Sequence, residues 1–379
     1  MQEFNDFAIK NYNQFCENKI TERRFKHKDL IPLIQKLESF FEIKKIGKSF
    51  ENREIFRIKV GSGKTKILLW SQMHGNESVA TLAILDILNF FKNPDHQKLI
   101  QNISLYFIPM LNPDGAEKFK RRNAQDIDLN RDALRQSAPE SRILLEQIAE
   151  LKPDFGFNLH DQEIYYGVEK TSKNTNIAFL APAYNYEKSI NESRKKSMQV
   201  IVSMNNRLQK IIPNSVAKYS DAFMPNAFGD NIQKLGTSTI LIESGYSKAD
   251  TERQFIRKLN FISIIEALYS IENKFYMQEN IDNYFQIPAN RKDAFFDYLL
   301  KNVTIQKNNK KYKTDIGISR NKADREDFTD YEKDFLIWEI GDLSNYNGFE
   351  EIDLEGKIIT DNEGKIMKMK KADFLLNKI

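Results

Sequence analysis

The stretch SQMHGNES (71–78) places His74 and Glu77 three positions apart. The apolar run before it (66–70) is typical of a buried strand, and the run after it (79–91) is typical of a helix. An imidazole and a carboxylate therefore stand where a strand passes into a helix. Both groups can bind a metal or transfer a proton, so this turn is the first candidate for chemistry.

Two later predicted strands also end in such residues, DFGFNLH in His160 and STILIE in Glu243. Ligand sites of open α/β sheets gather at the carboxyl ends of the strands. Two histidines and a glutamate, with a fourth position left open, are the ligand set of a catalytic zinc site. These residues therefore predict a catalytic zinc site at this edge of the sheet.

Asp161 and Glu163 follow His160 closely and are rival ligands. Neighbouring residues on a strand point to opposite faces of the sheet, which disfavours both as partners of His160.

The elements that must position these residues follow an alternating pattern. A helix is predicted at 28–41, and three strands with glycine-containing turns occupy the stretch from 42 to 70. From residue 78, strands and helices alternate; the strands are predicted at 104–110, 154–160, 176–180 and 238–243, and the helices at 78–91, 140–151, 187–211 and 250–271. This order predicts an α/β fold with a mixed central sheet flanked by helices.

The chain changes character near residue 275. The tail is richer in Lys, Asp and Asn and contains short strand-like runs, among them VTIQK, YKTDIGI, DFLIWEI, KIITD and ADFLL. We predict a catalytic domain at 1–275 and a small β-rich C-terminal domain at 276–379.

Composition restricts the partners. The 57 Lys and Arg residues nearly balance the 53 Asp and Glu residues, and no basic block stands out, so neither nucleic acid nor a membrane is expected as a partner. One cysteine, Cys16, fits a reducing compartment. The first residues do not resemble a signal peptide. We expect a cytoplasmic protein, or a secreted one if a signal peptide preceded this sequence; the oligomeric state is left open.

Several motifs in consistent order resemble the zinc metallocarboxypeptidases, the carboxypeptidase A-like peptidases. They are HGNE (74–77), NPDG (112–115), RRNAQDIDLNRD (121–132), NLH (158–160) and LIES (241–244). The resemblance implies the matching fold and a zinc-dependent enzyme that hydrolyses the C-terminal residue of peptides.

The resemblance also implies a role for individual residues. His74, Glu77 and His160 bind the zinc, one ion per chain. Glu243 is the general base, and Asn130 and Arg131 grip the terminal carboxylate of the substrate. Arg121 polarises the scissile carbonyl, with Arg122 as a close rival, and Asp128 orients the imidazole of His74. A further position, Ile232, falls near the base of the side-chain pocket and favours apolar C-terminal residues.

Two other functions remain as alternatives. A zinc deacylase or amidase of the same fold would act on N-acyl amino acids or on peptidoglycan-type amides. A non-catalytic binding module would keep the fold without the chemistry, but the presence of Glu243 and all three ligand residues disfavours it.

Overall fold

A computed structural model describes residues 2–248, 250–320, 334–361 and 364–376. The chain divides into two compact units. The first unit comprises Met1–Gln162 and Thr175–Asn290, and the second comprises Glu163–Asn174 and Arg291–Ile379. Among the described helices, none is both long and apolar enough to cross a bilayer.

The strands, in chain order, are β1 (Glu42–Lys48), β2 (Glu54–Val60), β3 (Thr65–Ser71), β4 (Ile103–Ile108), β5 (Phe155–Asp161), β6 (Gly167–Val168), β7 (Ile177–Leu180), β8 (Val216–Lys218), β9 (Ser238–Ser244), β10 (Asn290–Arg291), β11 (Phe295–Lys307), β12 (Lys310–Arg320), β13 (Phe335–Gly341), β14 (Asn347–Asp353) and β15 (Ile358–Thr360). The helices are α1 (Gln2–Lys10), α2 (His27–Leu37), α3 (Val79–Phe91), α4 (Pro94–Gln97), α5 (Pro113–Lys118), α6 (Pro139–Leu151), α7 (Glu192–Gln209), α8 (Phe228–Lys234), α9 (Gln254–Glu272) and α10 (Asp282–Gln286), with a last short helix at Asp373–Leu376.

The first unit is built on an eight-stranded sheet in the order β1-β2-β4-β3-β5-β9-β7-β8. Its central strands β4, β3, β5 and β9 are parallel neighbours, whereas β1, β2 and β7 add antiparallel pairs. The predicted mixed sheet flanked by helices is therefore confirmed.

Both faces of this sheet are covered by apolar side chains. Along β3, Ile67 and Leu69 belong to one buried cluster, while Leu68 and Trp70 belong to another. This alternation is the two-residue period of a strand. The first cluster includes residues of α2, α3, α7 and α9, and the second includes residues of α6 and α8. A continuous apolar run such as β3 forms because each face of the strand is buried.

The second unit contains a five-stranded sheet in the order β13-β12-β11-β14, with β15 also paired to β11. Its core includes Leu300, Ile316 and Ile337. The Tyr165 hydroxyl donates to Asp297 Oδ2 (2.7 Å), which attaches the 163–174 segment to this unit. The predicted β-rich C-terminal part is confirmed.

Three details of the C-terminal prediction differ from the structure. The ADFLL run forms a short helix instead of a strand, and β14 had no counterpart in the prediction. The units divide after Asn290 instead of after residue 275, because Tyr276, Tyr284 and Ile287 pack in the core of the first unit.

Candidate metal centre

The turn between β3 and α3 is held in place by a close approach of two backbone segments. A Cβ atom on Gly75 would lie 2.0 Å from the carbonyl carbon of Gly115, so only glycine fits there. The Gly75 N–H donates to the carbonyl of Arg121 (3.3 Å). The turn with His74 and Glu77 is thereby fixed against the segment that leads into the arginine loop.

The side chain of Asn112, the first residue of NPDG, forms hydrogen bonds to the same two segments. Its Oδ1 accepts from the N–H of Gly115 at the start of α5 (2.8 Å). Its Nδ2 donates to the carbonyls of Met73 (3.1 Å) and Arg121 (3.4 Å). One buried amide therefore caps a helix and joins the histidine turn to the arginine loop.

The three predicted ligands meet at a single carboxylate. Glu77 Oε1 lies 2.7 Å from His74 Nδ1, and Glu77 Oε2 lies 2.7 Å from His160 Nδ1. The ring centroids of the two imidazoles are 4.9 Å apart, and all three side chains are buried. Among the described residues, they form the one group of His, Cys, Asp or Glu side chains close enough to hold a metal ion together.

The charges of this cluster stabilise one another. Burial alone would raise the pKa of Glu77, but the two imidazoles lower that pKa well below its usual range. Burial lowers the pKa of His160, which favours the neutral ring. An ionised Glu77 carboxylate beside a neutral His160 ring suits the binding of a divalent metal.

Asp128 and Arg121 lie beside the ligands. Asp128 Oδ1 lies 3.1 Å from His74 Nε2, and Asp128 Oδ2 accepts from Arg121 Nε (3.2 Å) and Nη2 (3.1 Å). Arg121 Nη1 also donates to Glu77 Oε1 (3.1 Å). Although burial acts to raise it, the pKa of Asp128 is lowered by its hydrogen bond to His74 and by the charge of Arg121.

Glu243 lies at the end of β9, directly opposite His160 in the parallel register of β5 and β9. Burial, together with the negative charge of Glu77, raises its pKa well above the usual range, and the positive charge of Arg121 opposes that shift. The predicted base therefore lies on the strand next to a ligand, in an environment that favours a bound proton.

Asn130 and Arg131 continue directly from Asp128 in a short 3-10 turn. Asn130 Oδ1 accepts from the N–H of Phe228, the first residue of α8 (2.9 Å). Arg131 is exposed, and its Nη1 donates to the carbonyl of Asn130 (2.6 Å). The N–H of Asn130 donates to Asp128 Oδ1 (2.9 Å), which joins this turn to the carboxylate beside His74. The substrate-binding role of both residues stays a prediction.

The side chains of the rival residues are not part of the ligand group. Arg122 is exposed and donates to the carbonyl of Asp126 (3.0 Å), so Arg121 is the arginine that contacts Glu77. Asp161 Oδ2 accepts from the N–H of Val79 at the start of α3 (3.3 Å). Neither Asp161 nor Glu163 belongs to the metal-binding group found among the described residues.

The comparison with known families decides the identity of the fold around this cluster. The sequence model of the family described as zinc carboxypeptidase matches residues 29–223, more than half of the chain. The chain belongs to the zinc carboxypeptidase family. The matched range contains all three candidate ligands, and Glu243 lies beyond it.

Individual members of the family are distant relatives. Human carboxypeptidase D is 29% identical over 141 residues, which cover 32% of this chain and 10% of that protein. The matched stretch thus spans about a tenth of the length of this curated relative. A metallo-carboxypeptidase from Burkholderia cenocepacia has the same fold, with a TM-score of 0.54 at 16% identity over 66% of this chain and 70% of its own. The structure of carboxypeptidase A from Helicoverpa armigera matches with a TM-score of 0.52 at 17% identity, over 73% of this chain and 81% of its own.

The donor set fits the zinc ion on which this family depends. Zinc prefers imidazole nitrogen and carboxylate oxygen, and catalytic sites use three protein ligands. In this chain, both Nδ1 atoms face the two oxygens of Glu77, so the candidate donor atoms converge. Asp128 lies at hydrogen-bond distance from Nε2 of His74, the nitrogen that faces away from Glu77. A carboxylate in this position is usual for a histidine that binds a metal.

Two parts of the site were missed from the sequence. Asn112 was noted only as part of the NPDG motif, although Asn before Pro at a helix start is a capping signal. Helix α8 was also missed, since FGDNIQK lacks apolar periodicity. It brings Gly229 against the strand that carries His160.

Proposed function

We propose that this chain is a zinc-dependent carboxypeptidase that releases the C-terminal residue of a peptide. The observation that carries the proposal is the convergence of His74 and His160 on one buried carboxylate, Glu77, with Glu243 opposite His160. His74, Glu77 and His160 would hold one zinc ion. Bound zinc would act as a Lewis acid that lowers the pKa of water towards about 7.

Glu243 is proposed to move the proton. It accepts a proton from the attacking water as the water oxygen bonds to the scissile carbonyl carbon. It then delivers this proton to the amide nitrogen as the carbon–nitrogen bond breaks, so that one carboxylate serves both halves of the reaction.

Arg121 is proposed to stabilise the charge that develops on the carbonyl oxygen. Its guanidinium is fixed by Asp128 and Glu77, so little reorganisation is needed when the oxyanion forms. Asp128 also fixes the ring orientation of His74.

Asn130 and Arg131 are proposed to bind the terminal carboxylate. The exposed guanidinium of Arg131 is accessible to a ligand, and its planar fork matches a carboxylate. Because Oδ1 of Asn130 already accepts from Phe228, its Nδ2 is the atom that would donate to the substrate.

A substrate screen tests the proposal. Purified protein is incubated with peptides that have a free C-terminus, with the same peptides amidated, and with N-acyl amino acids, and the products are identified by mass spectrometry. We expect single C-terminal residues to be released from the free peptides and almost none from the amidated ones. Hydrolysis confined to the N-acyl amino acids would instead favour the deacylase function.

A further inference from the structure

Within the described part of the chain, one buried side-chain amide close to the ligands in sequence has no hydrogen-bond partner. Asn158 lies on β5 two residues before His160 and is fully buried. Neither its Oδ1 nor its Nδ2 has a hydrogen-bond partner among the described residues. Buried amides are almost always paired because leaving them unpaired is destabilising. Such an exception beside a candidate active site calls for a ligand as the missing partner.

The strand geometry places this amide on the catalytic face of the sheet. Phe157 and Leu159 pack in the first apolar cluster, so Asn158 and His160 point to the opposite face. In the parallel register, Asn158 pairs with Leu241 as His160 pairs with Glu243. Asn158 therefore lies on the same face of the sheet as His160 and Glu243, two residues before His160 along β5.

Helix α8 lies against the same amide. A Cβ atom on Gly229 would be 3.5 Å from Asn158 Nδ2, an ordinary contact distance. Because residue 229 is glycine, it places no side chain between the α8 backbone and the amide. The start of this helix is held by Asn130 through the N–H of Phe228. Asn158 thus lies between the catalytic row and a helix anchored by a proposed carboxylate-binding residue.

A peptide bound at the proposed site would point the side chain of its C-terminal residue towards Asn158. Its terminal carboxylate would lie at Asn130 and Arg131, and its scissile carbonyl at Glu243. The side chain of the terminal residue branches from the carbon between these two groups. We propose that Asn158 binds this side chain and selects a neutral polar one, carrying an amide or a hydroxyl. This inference rests on the proposed carboxypeptidase function.

The chemistry of the neighbourhood supports a neutral polar ligand. The Asn158 amide offers two donors and an acceptor without charge. Trp70, which pairs with Asn158 in the β3–β5 register, has a buried Nε1 that also lacks a partner among the described residues. Asp230, which follows Gly229 in α8, accepts from the N–H of Met224 through Oδ1 (3.0 Å), so this oxygen is bound to the backbone. This selection differs from the apolar preference predicted from Ile232, which is fully buried in the second apolar cluster.

The test uses peptides that differ only in the last residue. Asparagine and leucine have nearly the same shape, so their kcat/KM ratio isolates the polar interaction. For the wild-type protein we expect peptides ending in Asn to be cleaved about ten- to a hundredfold more efficiently than those ending in Leu. Equal or better cleavage of the Leu peptide would overturn the inference, while hydrolysis itself would still support the carboxypeptidase function. If none of the free peptides is cleaved, the proposed function fails as well.

Two variants sharpen the test. Asn158→Leu should reverse the preference towards Leu, and Asn158→Asp should favour a terminal Lys, because the new carboxylate attracts a cation. The control Asn89→Leu, in α3, removes an amide bonded to the Phe15 carbonyl and should leave the preference unchanged. Zinc content and thermal unfolding are measured for each variant, and the wild-type ratio decides the matter if a variant fails to fold. An unchanged preference in folded Asn158→Leu and Asn158→Asp would contradict the inference.

Discussion

The central strands β3, β5 and β9 meet very different surroundings at their two ends. Their amino ends border a cavity of about 1030 Å³, lined by Thr65, Asp154 and Ser238 among others. Their carboxyl ends carry the tightly packed cluster of His74, Glu77 and His160, followed by Glu243. The same sheet thus has a large opening at one end and converging donor groups at the other.

This contrast indicates that a catalytic site is better recognised by side chains that converge on one point than by the volume of a cavity. Ionisable residues also line the cavity, including Lys152, Lys196 and Glu192. Among the described residues, however, none of the three lysines there (Lys152, Lys196 and Lys274) forms an ion pair with a carboxylate. At the carboxyl ends, His74 and His160 both lie within hydrogen-bond distance of Glu77, and Glu243 lies opposite His160 in the strand register. We therefore assign the chemistry to the carboxyl ends, as is usual for such sheets.

Removing a ligand should have the largest effect. His160→Ala deletes one of two imidazole donors, so we expect the purified variant to contain almost no zinc and to show no detectable hydrolysis. Elemental analysis and a peptide assay measure both. His27→Ala is the matched control, since His27 contacts the carbonyl of Glu54 away from the cluster, and it should keep both properties. Stoichiometric zinc in folded His160→Ala would refute the ligand assignment.

Glu243→Gln should separate metal binding from catalysis. The amide cannot accept the proton of the attacking water, so kcat should fall by several orders of magnitude while zinc is retained. Glu192→Gln makes the same change at the cavity and should leave kcat unaltered. Near-normal turnover of Glu243→Gln would mean that a different carboxylate is the base.

Arg131→Ala tests how the substrate is held. Truncating one partner of a hydrogen-bonded charge pair costs about 2–5 kcal/mol. At about 1.4 kcal/mol per factor of ten, kcat/KM on free-carboxylate peptides should fall roughly 30-fold to several thousand-fold. Amidation of the substrate's C-terminus should lower the kcat/KM of the wild type by a similar factor. It should lower the kcat/KM of the variant only slightly further. If amidated peptides show a comparable loss in the variant, Arg131 is needed for the structure instead of for the carboxylate.

Asp128→Asn should have a moderate effect on the metal. The variant keeps the shape of the side chain but loses the charge beside His74 Nε2, so we expect zinc affinity to drop about ten- to a hundredfold. Competition with a chelator of known affinity measures the change. Unchanged affinity would show that Asp128 does not orient the ring.

A substitution at the amino ends of the strands should have the smallest effect on activity. Lys196→Ala alters the lining of the cavity without touching the cluster, and we expect kcat/KM to stay within about twofold of wild type. A loss as large as that of Arg131→Ala would remove the functional contrast between the two ends of the sheet.

Local pattern and motif spacing were sufficient to predict the strands that carry the site. β5 and β9 end at or beside the predicted residues because apolar runs followed by polar ones define where a buried strand ends. The choice between Arg121 and Arg122 needed three-dimensional information, since adjacent residues have equal claims in the sequence. Only the structure shows that Asp128 and Glu77 bind the first of them.

Other features depend on contacts between distant residues and have no local signal. The 276–290 segment looks polar, yet Tyr284 is buried in the first unit, where its hydroxyl oxygen accepts a hydrogen bond from the N–H of Ala181 (3.1 Å). The 163–174 segment joins the second unit through Tyr165 and Asp297, which are far apart in the chain. ADFLL was wrong as a strand because a five-residue apolar run does not distinguish a strand from a helical turn.

Anomalous X-ray scattering at the zinc absorption edge tests the central claim most directly. Crystals of enzymatically active protein are measured on both sides of the edge, and the difference map locates the metal without reference to any assumed ligand. We predict a single strong peak per chain, within coordination distance of His74 Nδ1, His160 Nδ1 and the carboxylate of Glu77. A peak at the amino-end cavity, or active crystals with no peak at this cluster, would contradict the account.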